Sequence, residues 1–284
     1  MDREFAFTVL VLVGVGSMLM VSALPGGGTP PEMPADQLER RCWRRIWLPL
    51  LPATLILASL CGWLAMEPDP TARIPRAILV AALPFSGIWI RALRRAVGGL
   101  LAGPGGASAV AVGVVRPRVL VSPAFSRAID QQALDAACAH EEAHARHRDP
   151  LRLWLARIAT DLQWPLPPAA RRYARWRCAL ELARDQEARR QGAEGADLAT
   201  AVLAAVRLQI DAADPTAALH DVSDAADLRN RIARLLEPIE APPVPGGVLL
   251  HNAVLSTLIM VWTLAAWLGA DFGDRALRIL FRGI

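Results

Sequence analysis

The chain has 284 residues, 54% of them hydrophobic, with a mean hydropathy of +0.30, a formal charge of +4 and a pI near 9.3. All 31 basic residues are Arg, which excludes chemistry that needs Lys, including the P-loop and the S-x-x-K acylation motif. The Arg residues cluster beside apolar runs, so the positive charge is poor ground for direct nucleic-acid binding, and Cys42, Cys61, Cys138 and Cys178 form neither a C-x-x-C nor a disulfide framework.

Residues 5–24 carry no charge and are long enough to span a bilayer. The preceding Met1-Asp2-Arg3-Glu4 is not the basic leader of a signal peptide, so a retained span is expected. A Gly/Pro loop (25–34) follows, then Arg40, Arg41, Arg44 and Arg45, then a second apolar run, 46–66. The third run, 77–90, is short; Arg76 and Arg91 could snorkel from its ends, and a re-entrant or interfacial helix is the alternative. Because loops rich in Arg stay in the cytoplasm, the clusters at 40–45 and 91–95 predict a cytoplasmic location for everything between the third run and a fourth, 248–270. The expected organisation is a membrane region at 1–96, a cytoplasmic domain at 97–247, and a last span with a short tail at 248–284.

Within that domain, residues 97–107 read as a Gly-rich linker. Two short β-rich runs lie in 108–122 around Arg116-Pro117-Arg118. They form either part of the core or a hairpin edge to which an extended peptide could add a strand. Helices are predicted at 131–149, 151–163, 169–191, 196–212 and 224–236, with Asp149-Pro150 as a break in which Asp149 caps the second helix and Pro150 takes its first position, Trp164-Pro165-Leu166-Pro167-Pro168 as another break, and 238–247 as a Pro-rich linker.

The first of these helices contains His140-Glu141-Glu142-Ala143-His144, an H-E-x-x-H. Positions i and i+4 share a helix face, so His140 and His144 can hold one zinc ion between them. Glu141 follows the first His and can act as general base toward water. A third ligand is needed, and Glu181 with Asp185 stands one helix pair later on a single face. Glu181 would complete a His/His/Glu set, and Asp185 would support a ligand His through its other ring nitrogen. The plainer alternative for the pair is a solvated acidic face. His147 is a rival third ligand, but it lies roughly 10 Å along the axis from His140 and reads as a surface residue. Glu142 is expected to face away, Cys138 to be a small core residue, and His220 and His251 to be structural.

Residues 117–122, 134–150, 164–166, 181–185 and 228–236, taken as an ordered set, resemble the BlaR/MecR-type membrane metallopeptidases. The resemblance implies a mainly α integral membrane protein with four transmembrane helices and a gluzincin-like zinc domain containing a small β element. It implies His140, His144 and Glu181 as zinc ligands and Glu141 as catalytic base. It implies an inner-membrane enzyme that cleaves a cytoplasmic transcriptional repressor of the winged-helix kind, with self-cleavage as a route to activation. Sensor members of that family carry a penicillin-binding domain after the fourth span. With no Lys for an S-x-x-K, direct β-lactam sensing by this chain is not expected, and a different signal or a separate sensor partner would be needed. The competing readings are a housekeeping protease of the HtpX or CAAX type, and a non-catalytic scaffold in which zinc only stabilises the fold.

Overall fold

The computed structural model describes residues 33–51, 54, 76–101, 109–212 and 222–237. Their secondary structure is mainly helical. The elements are α1 (Ala35–Trp47) with a 3-10 turn at Leu48–Leu50, α2 (Arg76–Leu101), β1 (Ala109–Val112), β2 (Arg118–Val121), α3 (Pro123–Ala128), α4 (Gln131–Arg146), α5 (Asp149–Asp161), α6 (Pro167–Arg190), α7 (Gly195–Ala212) and α8 (Val222–Leu236). Residues 33–46 and 87–237, where described, belong to one compact unit.

The expected four-span membrane fold is corrected by this structure. Among the described residues no helix is long and apolar enough to cross a membrane. The third run, 77–90, is only the first part of α2, whose later turns carry Arg91, Arg94 and Arg95. Its uncharged stretch would reach roughly 21 Å at 1.5 Å per residue, short of a hydrocarbon core about 30 Å thick. The second half of α2 packs on protein instead. Ala92 and Ala96 are buried, Arg95 pairs with Asp161 at 3.2 Å, and Trp154 Nε1 donates to the Ala96 carbonyl at 2.9 Å. The runs 5–24 and 248–270, and most of 46–66, lie outside the described residues, as do His220 and His251.

The helices start and stop where local chemistry dictates. Asp130 caps α4, accepting from Ala133 N–H at 2.8 Å, and Ser122 caps α3 the same way through Phe125 N–H at 3.1 Å. Pro167 opens α6, where a missing N–H is harmless. Gly192, at φ 104°, closes it in the left-handed region that favours glycine.

β1 and β2 form an antiparallel hairpin pairing Ala109 with Val121 and Val112 with Arg118. β1 lies against α4, which also packs on α6 and α7. Two small cores set these distances. Ala109, Phe125, Ala133, Ala137 and Ala201 form one under the hairpin; Ala136, Ala188, Leu198, Ala199 and Leu235 form the other, between α4, α6, α7 and α8. Alanine dominates both, and a side chain that short lets helix axes approach closely. That closeness brings polar residues of α4, α6 and α8 within hydrogen-bond reach.

Candidate metal centre

α4 presents His140 and His144 inward, one turn apart and both nearly buried. Their Nε2 atoms face each other at 3.0 Å. α6 brings in Glu181, with Oε2 3.4 Å from His140 Nε2 and Oε1 3.8 Å from His144 Nε2. The three residues offer ligand atoms that all lie within 4.8 Å of one another. A tetrahedral zinc with bonds of 2.0–2.2 Å holds its ligand atoms about 3.3 Å apart. Two imidazole nitrogens and a carboxylate oxygen at these separations therefore fit zinc in both spacing and donor chemistry.

The far side of each imidazole meets a carboxylate. His140 Nδ1 lies 2.9 Å from Asp185 Oδ1, and His144 Nδ1 lies 2.9 Å from Asp149 Oδ2. Such partners orient a ring and its tautomer and turn Nε2 toward a metal; at His144 the contact is a hydrogen bond, while at His140 Nδ1 it is a contact of charge. Burial would lower the pKa of His144, but the Asp149 hydrogen bond and the neighbouring Glu181 and Glu141 carboxylates lift it to about 10. Burial opposes ionisation of Asp149 as well, yet hydrogen bonds from His144 and Arg184 hold its carboxyl well below the usual range.

Asp149 departs from its expected role as a helix cap. α5 begins with no side-chain cap, and the Asp149 carboxylate turns back to His144. A left-handed Arg148 (φ 53°, ψ 42°) makes that reversal, a conformation costing a non-glycine residue roughly 1–2 kcal/mol. The signal was present in the sequence as an acid five residues beyond His144, but a cap explains the same residue equally well.

Glu141 is partly buried, and its Oε2 accepts the Ala111 N–H of β1 at 2.7 Å. Burial is the main influence on it and pushes its carboxyl pKa up. The hairpin thus seats this carboxylate beside the two imidazoles. Glu142 and His147 are exposed, and His147 Nε2 pairs with Glu187 at 2.8 Å.

Arg231 on α8 carries no sequence-derived role, yet it joins the site. Its Nη1 lies 3.0 Å from Glu181 Oε2, and Nε and Nη2 reach the two oxygens of Asp185 at 2.7 and 2.8 Å. A single guanidinium therefore ties Glu181 and Asp185 together. Burial raises the pKa of Glu181, but Arg231 and the two imidazoles outweigh it and keep the carboxylate ionised well below its ordinary range. Arg184 grips Asp149 from the other side, donating to Oδ1 at 3.0 Å and also to Oδ2.

This constellation falls within the segment that matches a known family. Residues 107–235 match the family model described as BlaR1 peptidase M56. The segment is thus similar to a family of membrane-associated metallopeptidases, and the match supports the BlaR/MecR-like resemblance. No curated protein and no solved structure matches the chain.

Proposed function

We propose that the protein is a zinc-dependent endopeptidase acting on a protein substrate, and that this substrate is a cytoplasmic transcriptional repressor in a signalling pathway. The observation that carries the reading is the His140/His144/Glu181 cluster with Glu141 seated against β1 at its rim. His140, His144 and Glu181 would hold the metal. When bound, zinc polarises a carbonyl and makes water acidic enough to attack at neutral pH. Glu141 would take a proton from the attacking water and pass it to the leaving amine. Its raised pKa makes it a stronger base than an exposed glutamate, and the Ala111 N–H keeps one oxygen fixed while the other does the transfer. Asp185 and Asp149 hold the two imidazoles in register, and Arg231 prevents Glu181 and Asp185 from repelling each other. The repressor as substrate rests on the resemblance to the BlaR1-type peptidases.

Metal analysis of the wild type and of His144→Ala tests the centre, with about one zinc expected in the first and little in the second. Equal zinc in both would remove it. Glu141→Gln should retain zinc, lose hydrolysis and capture uncleaved substrate; a captured repressor supports the substrate, and cleavage at the wild-type rate would end the assignment of the base.

A further inference from the structure

We propose that Glu39, on the upstream helix α1, is a positioning residue for the metal centre, acting through Arg152 and Asp149 on His144. The proposal rests on the zinc reading of that centre. α1 lies outside the matched segment 107–235, yet its residues up to Ile46 belong to the same compact unit as the site.

The chain of contacts is continuous. Glu39 is 5% exposed although it is a carboxylate on a helix carrying four arginines. Its Oε1 accepts from Trp176 Nε1 at 2.9 Å and from Arg152 Nη2. Arg152 donates its other terminal nitrogen, Nη1, to Asp149 Oδ1 at 3.0 Å. Asp149 is fully buried, and its Oδ2 meets His144 Nδ1 at 2.9 Å. One guanidinium therefore spans α1 and the carboxylate behind a metal-ligand ring. Arg152 is clamped in that position, stacked 4.8 Å over the Trp43 ring of α1 and 5.7 Å over Trp176 of α6.

Charge counting explains why Glu39 matters at that distance. Asp149 takes hydrogen bonds from two arginines, Arg152 and Arg184, as well as from His144. Asp149 and Glu39 balance these two cations together with Glu187, whose Oε2 lies 3.4 Å from Arg184 Nη1. Without the Glu39 charge, Arg152 has only Asp149 to neutralise it in a half-buried setting and draws that carboxylate toward itself. The Asp149–His144 hydrogen bond then weakens, and with it the orientation and basicity of His144. A buried ion pair broken on one side leaves an uncompensated charge, which is the costly way to disturb such a network. Glu39 thus ties the docking of α1 to the quality of the metal site.

The test uses the full chain and reads zinc affinity by chelator competition and ligand geometry by the visible spectrum of the cobalt-substituted protein. Glu39→Gln keeps the acceptor for Trp176 and removes the charge. It should bind zinc about 10-fold more weakly, the lower end of what loss of a ligand's outer partner costs, and shift the cobalt bands. Glu39→Asp, which keeps the charge, should recover part of both. The double variant Glu39→Gln/Arg152→Gln should be no weaker than Arg152→Gln alone, because the two act along one path. A packing role only would lower the melting temperature and leave zinc affinity and cobalt bands unchanged, overturning the proposal. Independent, multiplying losses in the double variant would also overturn it. If Glu39→Gln does not fold, Glu39→Asp decides, and wild-type zinc affinity there counts against the proposal. His144→Ala separates the levels: if it still binds zinc, the metal-centre reading fails; if it loses zinc while the Glu39 variants bind normally, only the coupling fails.

Discussion

Glu181 and Asp185 look alike in the sequence, two acids four residues apart, and the geometry divides them. Glu181 faces both Nε2 atoms, whereas Asp185 meets His140 at Nδ1, behind the ring. Glu181→Ala should therefore be largely metal-free and inactive. Asp185→Ala should lose about 10–100-fold in affinity or activity, as outer-shell variants do, and regain part of it with added zinc. Peptide cleavage across a zinc titration checks both, and a metal-free Asp185→Ala beside a near-normal Glu181→Ala would reverse the roles. Arg231 contacts both acids, so Arg231→Gln should weaken zinc binding too. If its zinc affinity matched the wild type, the guanidinium would be dispensable to the centre.

The helices of the matched region were legible because each carries its own punctuation. Asp130, Asp149-Pro150, the Trp164–Pro168 break and Gly192 all mark ends that the backbone respects to within three residues. The two β runs around Arg116-Pro117-Arg118 were legible as well. What stayed hidden depends on packing. α1 is strongly amphipathic, but its four arginines stand directly before an apolar run and read as a flanking charge cluster rather than as a helix that buries Glu39, Cys42 and Ile46. The short α3 is capped by Ser122 and Pro123, residues that serve a loop equally well, and α2 runs on through the exposed residues 97–101 into what reads as a Gly-rich linker.

The approach of α7 to α8 is of the same kind and supplies a test at that scale. A Cβ on Gly195, the first residue of α7, would stand 1.9 Å from the Leu235 carbonyl oxygen of α8. Backbone cannot yield as a side chain does, so Gly195→Ala must push α8 away. Overpacking of this sort costs typically 1–3 kcal/mol, and because α8 carries Arg231 the shift should also loosen Glu181. A lower melting temperature together with weaker zinc binding is expected; an unchanged melting temperature would show that the two helices separate without cost.

At the scale of the whole molecule, the metal centre is a balance of buried charges, and its dependence on pH has a definite sign. In the metal-free protein, burial works to lower the pKa of His144, but Asp149, Glu181 and Glu141 raise it from 6.5 to about 10. A basic group with a raised pKa contributes stability that is fully present below about pH 6.5 and is lost as the pH climbs toward about 10. Zinc needs the same ring neutral, so its binding must displace that proton and is disfavoured in acid. The two effects run in opposite directions. Bound zinc stabilises the folded state by mass action, and its increment over the metal-free protein should grow as the pH rises from 6 toward 9. Melting temperatures measured with zinc and with a chelator at several pH values check this. The metal-free curve should decline with rising pH in that window, and the gap between the curves should widen. A gap that stayed constant would mean that no proton leaves His144 when the metal enters, and so that the ion is held by other residues.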